Sequence, residues 1–466
     1  MLIADTCTCK GEKAMYDLVI LGGGPGGLRA AELAAAAGMK TVLVEKDRLG
    51  GVCLNRGCIP TKALYAHIIG GRGTREGLWT RVESVVDKLR QGSATSLRMA
   101  GVKYLRGTSC VTHWEGEKRV RVTKEDGSVE EISGTRLLLA TGARSVRPPF
   151  RGGDLPGVVT GDRAITEPSL WDPERNSPVH TVAVLGAGVI AIEMAALLKG
   201  LGKEVVLLKH SDQVLRRMDG DIKKKTVQIL KKRGTVIKDY VRLQEVSVKE
   251  GRLEVKGSAK DEPFVVACDR LIIASSMEPV LDGFGLEESP VKIEKGAIAV
   301  GPTQETTAEG VYAVGDCTGG AMLAHLAEYQ ALAAVSSMTG GNYRVNYDAV
   351  PTCVFMDPEV GAVGLTEEEA LDSGEEIVTA KAYFGANGMA LALGESDGFV
   401  KVVARASDKT LLGVHIMGPE ASSVLGEAAL AVARKLTAGD VAHTVHAHPT
   451  LCECFRDACL RLGDRA

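Results

Sequence analysis

The sequence predicts an α/β fold made of two Rossmann-like dinucleotide-binding domains followed by a C-terminal α+β domain. Three observations carry this. The stretch YDLVILGGGPGGLRAAELAAAAGMKTVLVEK from Tyr16 reads as an apolar strand, a glycine turn, an alanine-rich helix and a second strand. The same pattern returns from Val179 as VHTVAVLGAGVIAIEMAALLKGLGKEVVLLKH. After Asn342 the character changes: VGAVGLTEEEA, GFVKVVARA and TLLGVHIMG alternate like strands and are followed by helical stretches.

Composition agrees and excludes several classes of function. A chain of 466 residues has room for roughly three domains at about 150 residues each. Apolar residues are 45 %, charged residues 25 % and aromatics only 4 %, with 55 glycines, which suits an α/β enzyme with many close backbone approaches. The net charge of −3 offers no overall basic field for nucleic acid or anionic lipid. The longest apolar run, Thr181 to Ile192, is broken by glycine and shorter than a membrane span. Residues 1–10 hold Asp5 and two cysteines and no apolar core, unlike a signal peptide. The eleven scattered cysteines then point to a reducing cytosol, where any disulfide is a working one. Cys110, Cys268, Cys317 and Cys353 lie in apolar or strand-like surroundings and read as small buried hydrophobes.

The expected organisation is a flexible extension over 1–14, a first nucleotide-binding segment over 15–147, a second nucleotide-binding domain over 148–269, a return to the first over 270–343, and the α+β domain over 344–466. Cys7-x-Cys9 in the extension is too short a pattern to define a metal site, so no metal is expected.

The glycine loops carry the first chemistry. Gly22-x-Gly24-x-x-Gly27 follows a strand and opens a helix. Its glycines allow in turn a tight turn, the approach of a pyrophosphate and close helix–strand packing. The helix N-terminus adds unpaired N–H groups and partial positive charge. Glu45 closes the second strand 23 positions after Gly22, where a carboxylate binds ribose hydroxyls. The second loop is Gly186-x-Gly188-x-x-Ala191, but its strand ends at Lys209. A lysine cannot accept from a 2′-hydroxyl and can pair with a 2′-phosphate. With His210 and Arg216 close by, the reading leans to NADP.

Between the first unit and the next helix lies LGGVCLNRGCIPTKALY, with Cys53 and Cys58 four residues apart around Gly57 and before Pro60. Such a loop can fold back to bring two thiols within disulfide range. Near the other end, HAHPTLCE sets His448 before Pro449, which disfavours a helical conformation at the histidine. Glu453 is placed to hold the far ring nitrogen. A thiolate, not a thiol, attacks a disulfide, and an imidazole within reach can take the proton.

These segments resemble the flavoprotein disulfide reductases, and within that group the dihydrolipoyl dehydrogenase branch. GGVCLNRGCIPTKAL is similar to the family's redox-active segment, GVYAVGDCTGGAMLAHLAEYQA to its second FAD motif, and HAHPTLCE to its C-terminal His-Pro signature. ETTAEG, VPTCVFMDPEVGAVGLTEEEA and GFVKVVARASDKTLLGVHIMGPEASS follow the same pattern in family order, so the likeness spans the chain from Tyr16. The resemblance implies that Cys58 lies against the flavin, that Cys53 is the interchange thiol and that His448 is the acid/base oriented by Glu453. It implies FAD at Gly22, Gly24, Gly27, Glu45, Lys62, Ala140, Thr141, Gly142, Asp316, Met322, Leu323 and Ala324. It implies NAD(P) at Gly186, Gly188, Ala191, Glu193, Lys209, His210 and Ser276, with Glu193 also the carboxylate partner of Lys62. It further implies a homodimer, and oxidation of dihydrolipoyl groups on the carrier protein of a 2-oxo acid dehydrogenase complex or a glycine cleavage system.

Three departures from the family pattern stand out. Lys209 replaces a glutamate, Ser276-Met277 replaces a Gly-Arg pair, and Cys452 stands where serine is usual, with Cys454 and Cys459 nearby. Cys452 and Cys454, two apart on an expected helix, point to different faces and do not make a second dithiol. The alternatives are a reductase of another low-molecular-weight disulfide, or a flavoprotein docking subunit with altered nicotinamide chemistry.

Overall fold

A computed structural model describes residues 15–71, 77–171 and 179–462. The extension expected over 1–14, with Cys7 and Cys9, lies outside the described residues. The chain forms two compact units. One takes the chain up to Asn55, Val86–Arg144 and Met277–Val345; the other takes Arg56–Val85, Ser145–Ser276 and the chain from Asn346.

The first unit is built on a seven-stranded sheet. Lys103–Arg106, Thr41–Glu45, Met15–Leu21 and Val129–Leu139 run parallel in that order. The long last strand then divides its free edge. Its first half pairs antiparallel with Lys118–Thr123, and its last three residues pair parallel with Val311–Ala313. That pairing brings the motif from Gly310 to Gly320 beside the first glycine loop's own strand. The strand VIL core is apolar without alternation because both faces are covered. The helix Pro25–Ala36 buries Ala30, Ala31 and Ala34 against Ala331, Ala334 and Val335 of the helix Ala324–Met338. Small side chains on both faces let the two helices approach closely.

The second unit holds a five-stranded parallel sheet in the order Val236–Lys238, Glu204–Leu208, Thr181–Leu185, Arg270–Ile273, Val158–Thr160. Its last strand in sequence begins at Arg270, just past residue 269. The helix Val189–Gly200 is apolar nearly all round and is buried accordingly. An antiparallel meander of Val241–Lys249, Arg252–Ala259 and Glu262–Cys268 leads into that last strand. The C-terminal part is the α+β domain that the alternating pattern predicts. Its five antiparallel strands run from Thr352–Val354 to Ile377–Tyr383, packed against the helices Ala421–Ala433 and Glu453–Leu460. Among the described residues, no helix is long and apolar enough to cross a membrane.

A buried ion cluster holds the start of the helix Gly220–Lys232 to the C-terminal sheet. The Lys401 side chain is 2 % exposed and its Nζ lies 2.9 Å from Asp219, 2.7 Å from Asp221 and 2.6 Å from Glu367. Asp219 also caps the helix by accepting from the Asp221 N–H at 3.0 Å. Burial works against the Lys401 ammonium, but hydrogen bonds to Asp221, Glu367 and Asp219 outweigh it and raise its pKa. Burial likewise raises the two aspartates, and the hydrogen bonds and charges around them bring both below the ordinary range. Their contribution to stability is therefore complete above the unfolded carboxyl pKa and is lost as pH falls through the lower folded value. Lys401→Met leaves Asp219 buried without its ammonium. It is expected to lower the unfolding free energy by ~3–5 kcal/mol at neutral pH, read from denaturant melts, with the gap to the parent narrowing in acid.

Candidate active site

In the first unit three backbone segments meet at one glycine. The Gly22 N–H donates to the Val44 carbonyl at 2.8 Å, and the Ala140 N–H donates to the Leu21 carbonyl at 2.8 Å. Gly22 has φ +110°, and a Cβ there would fall on the Ala140 carbonyl oxygen. A Cβ at Gly27 would fall on the Gly22 carbonyl. The helix Pro25–Ala36 therefore starts directly over the end of the strand, with its N–H groups facing outward. Glu45 is buried; its Oε2 accepts from the Gly23 N–H at 2.7 Å and its Oε1 from the Asp47 N–H at 2.8 Å.

Thr141 and Gly142 follow at the same sheet end. Thr141 donates its hydroxyl to the Val280 carbonyl at 2.7 Å, and the Gly142 carbonyl accepts from the Val280 N–H at 2.9 Å. Asp316 lies in the single turn Gly315–Thr318, where burial raises its pKa. The Gly315 N–H is held by the buried Gln330 side chain at 2.7 Å. Met322 and Leu323 precede the helix that begins at Ala324.

The second unit repeats this arrangement. The Gly186 N–H donates to Leu208 and the Ala274 N–H to Leu185, both at 2.8 Å. Gly186 has φ +139°, and a Cβ there would fall on the Ala274 carbonyl. Gly188 precedes the helix Val189–Gly200, in which Ala191 and Glu193 are buried, and Ser276 lies just beyond Ala274. By this register Lys209 is the counterpart of Glu45. Its ammonium does not stand open for a phosphate as the sequence predicts. The side chain is 1 % exposed and forms an ion pair with Asp239 at 2.7 Å. It also donates to the Ser211 carbonyl at 3.0 Å. His210 is exposed, with Nδ1 3.0 Å from the Val241 carbonyl.

Cys53 is half-buried on the short helix Gly51–Arg56, and Cys58 is exposed as the first residue of the helix Cys58–Ile68. Asn55 secures the first of these helices by donating to the Leu49 and Gly51 carbonyls, each at 2.9 Å. One turn beyond Cys58, Lys62 donates to both oxygens of Glu193 at 3.0 Å. Glu193 also accepts from the Phe355 N–H at 3.0 Å, and the Lys62 ammonium lies 4.4 Å from the Phe355 ring centre. The expected Lys62–Glu193 partnership is thus present in the geometry.

His448 and Glu453 also meet. The ring Nδ1 lies 3.1 and 3.2 Å from the two carboxylate oxygens. The His448 side chain is 78 % exposed and that of Glu453 only 9 %. The Thr450 N–H, at 2.9 Å, foremost lowers the Glu453 pKa, with His448 and Arg456 adding to it. An ionised carboxylate only accepts, so Nδ1 donates its N–H to Glu453.

Burial separates the remaining thiols from this chemistry. It pushes Cys268, Cys317 and Cys353 up to about 11, and Cys454 and Cys459 up to about 12. Cys452 is raised by burial and then by Glu427. None of these is a ready thiolate near neutrality. Cys110 and Cys353 are half-buried rather than fully buried, the latter close enough to Lys62 and Glu193 to feel both charges. Among the described residues, no cluster of His, Cys, Asp or Glu is arranged to hold a metal ion.

Comparison with known proteins matches this geometry to one class. Residues 16–331 match the pyridine nucleotide-disulphide oxidoreductase family and residues 350–459 match that family's dimerisation domain. The chain belongs to the pyridine nucleotide-disulphide oxidoreductase family, whose members use FAD and NAD(P). It is 33 % identical to dihydrolipoyl dehydrogenase of Bacillus subtilis (strain 168), covering 97 % of this chain and 98 % of that protein. It is 34 % identical to the mitochondrial dihydrolipoyl dehydrogenase of Homo sapiens, covering 95 % and 89 %. Among solved structures, LpdA of Mycobacterium tuberculosis superposes with a TM-score of 0.88 at 25 % identity, covering 96 % of this chain and all of that one. The copper(II) complex of the HOCl-induced flavoprotein disulfide reductase RclA of Escherichia coli superposes at 0.87 with 26 % identity, covering 97 % and 100 %.

The residues present fit such cofactors. In each loop the strand-end glycine lies too close to a neighbouring carbonyl for any Cβ. The next glycine, Gly24 or Gly188, faces open space where a side chain would stand in a phosphate's way. A helix opens there, and the first loop is backed by the buried Glu45. Gly22→Ala is expected to yield protein without the flavin absorbance near 450 nm, because the methyl group collides with the Ala140 backbone and the turn must open.

Proposed function

We propose that the protein is an FAD-dependent dihydrolipoyl dehydrogenase that oxidises dihydrolipoyl groups on a carrier protein and reduces NAD(P)⁺. The observation that carries this reading is His448: an exposed imidazole whose inner nitrogen is occupied by a nearly buried carboxylate. The exposure of the ring suits a base acting on groups brought from outside. The dimerisation-domain match supports a homodimer in which that base serves the Cys53–Cys58 pair of a second copy.

In the oxidative half-reaction His448 takes the proton from a dihydrolipoyl thiol. The resulting thiolate attacks the Cys53 sulfur of the Cys53–Cys58 disulfide, and Cys58 leaves as a thiolate. The second substrate thiol attacks the mixed disulfide at the substrate sulfur, and its proton passes to the departing Cys53 sulfur. The lipoyl ring closes and Cys53 is released as a thiol. Two electrons now reside in the Cys53–Cys58 dithiol. FAD, when bound, supplies the two-electron relay from that dithiol to the nicotinamide nucleotide. Gly22, Gly24, Gly27, Glu45, Ala140, Thr141, Gly142, Asp316, Met322, Leu323 and Ala324 would hold it, with Lys62 fixed by Glu193. Gly186, Gly188, Ala191, His210 and Ser276 would hold NAD(P), with Lys209 engaged by Asp239 instead. In this reading 15–147 and 277–343 bind FAD and 344–466 forms the interface, while the NAD(P)-binding segment expected to end at 269 extends to Ser276 because the strand Arg270–Ile273 pairs within its sheet.

The deciding experiment is steady-state oxidation of dihydrolipoamide by the yellow protein with NAD⁺ and NADP⁺ side by side. Turnover with either supports the assignment. Turnover only with another disulfide and NAD(P)H would replace it with a low-molecular-weight disulfide reductase. Flavin bleaching without reduction of either nucleotide would point to a docking subunit with altered nicotinamide chemistry. Cys53→Ser is expected to abolish dihydrolipoamide turnover with FAD retained, and full activity in that variant would sink the mechanism. His448→Gln is expected to lower kcat by ~10²–10⁴-fold with Cys53 and Cys58 intact.

A further inference from the structure

We propose that Asp239 sets the choice between NAD and NADP by holding Lys209 away from the nucleotide. This rests on reading the second glycine loop as the nicotinamide nucleotide site. The two loops are superimposable in their hydrogen bonding. Gly22 donates to Val44 as Gly186 donates to Leu208, and Gly50 donates to the Gly23 carbonyl as Leu215 donates to the Ala187 carbonyl. Lys209 therefore occupies the place of Glu45, and Ala187 the place of Gly23. Glu45 accepts the Gly23 N–H, whereas a lysine leaves the corresponding Ala187 N–H without that acceptor.

The carboxylate that this position lacks arrives from the next strand. Asp239 follows the strand Val236–Lys238, and the Lys209 N–H bonds the Lys238 carbonyl at 3.0 Å, which holds the two chains in register. The Asp239 side chain is 31 % exposed, while the lysine it pairs with is 1 % exposed. Asp239 Oδ1 lies close to the ammonium but outside hydrogen-bonding geometry, so the contact is an ion pair rather than a directed bond. The outer face of this pair is thus an acid, not an ammonium. A ribose 2′-hydroxyl can donate to it. A 2′-phosphate meets a like charge and must compete with Asp239 for Lys209.

The test is calorimetric binding of adenosine 2′,5′-bisphosphate and of 5′-AMP to the FAD-loaded protein. Asp239→Asn is expected to tighten the 2′,5′-bisphosphate by about tenfold, the scale of one charge-assisted hydrogen bond, and to weaken 5′-AMP by a few-fold through loss of the charged acceptor for its 2′-hydroxyl. The double variant Asp239→Asn, Lys209→Met should lose that gain. The ratio of kcat/KM for NADP⁺ to that for NAD⁺ should follow the binding. Equal affinities for the bisphosphate before and after Asp239→Asn, or a gain that survives without Lys209, would overturn the proposal. Discrimination between the two probes by a protein that reduces neither nucleotide would instead overturn the dehydrogenase reading and leave Asp239 in its role.

Discussion

The structure turns on a backbone crossing that occurs twice. At the end of each parallel sheet, one glycine lies so close to a neighbouring carbonyl that no side chain fits. Gly22 meets Ala140 and Gly186 meets Ala274. In each case the glycine N–H binds the end of one flanking strand, and the N–H of the residue it faces, beyond the other flanking strand, binds the last residue of the glycine's own strand, so three strands finish at one level. The following helix has nowhere to begin except over the central strand. Its unpaired N–H groups then project into the space where a phosphate can sit. Glu45, Lys209 and the helix carrying Cys53 all take their positions from these crossings.

Around them, buried charges are arranged so that each has a partner. An ammonium or carboxylate removed from water costs several kcal/mol unless it is paired and hydrogen-bonded. Lys62 and Glu193, His448 and Glu453, Lys401 and its three carboxylates, and Lys209 and Asp239 each meet this requirement differently. Of these groups His448 is the most open to solvent. Lys401 is enclosed and serves the packing of the helix Gly220–Lys232 against the C-terminal sheet. The same desolvation sorts the cysteines. Those buried in the sheets and in the last helix are held as thiols, while Cys53 and Cys58 lie at the accessible start of two helices.

Local features were legible in the amino-acid sequence because their causes are local. The two strand–turn–helix units follow from apolar runs and glycine spacing, and the C-terminal domain from alternation. Glu45, Asp316 and the Cys53, Cys58, His448 and Glu453 positions lie within short motifs whose neighbours constrain them. Glu453 reaches His448 because only five positions separate them.

Tertiary structure decided what depends on distant partners. Glu193 takes its hydrogen bond from Phe355, 162 positions away, and no spacing signals it. Asn55, Thr450 and Arg456 act through backbone carbonyls or shared carboxylates, which composition does not mark. Lys209 is the clearest case. Its identity alone suggests an ammonium offered to a phosphate, but the parallel pairing of two strands sets Asp239 beside it and turns the pair's acidic side outward. A sequence determines which charges exist, and only the packed sheet determines which of them remain free to meet a ligand.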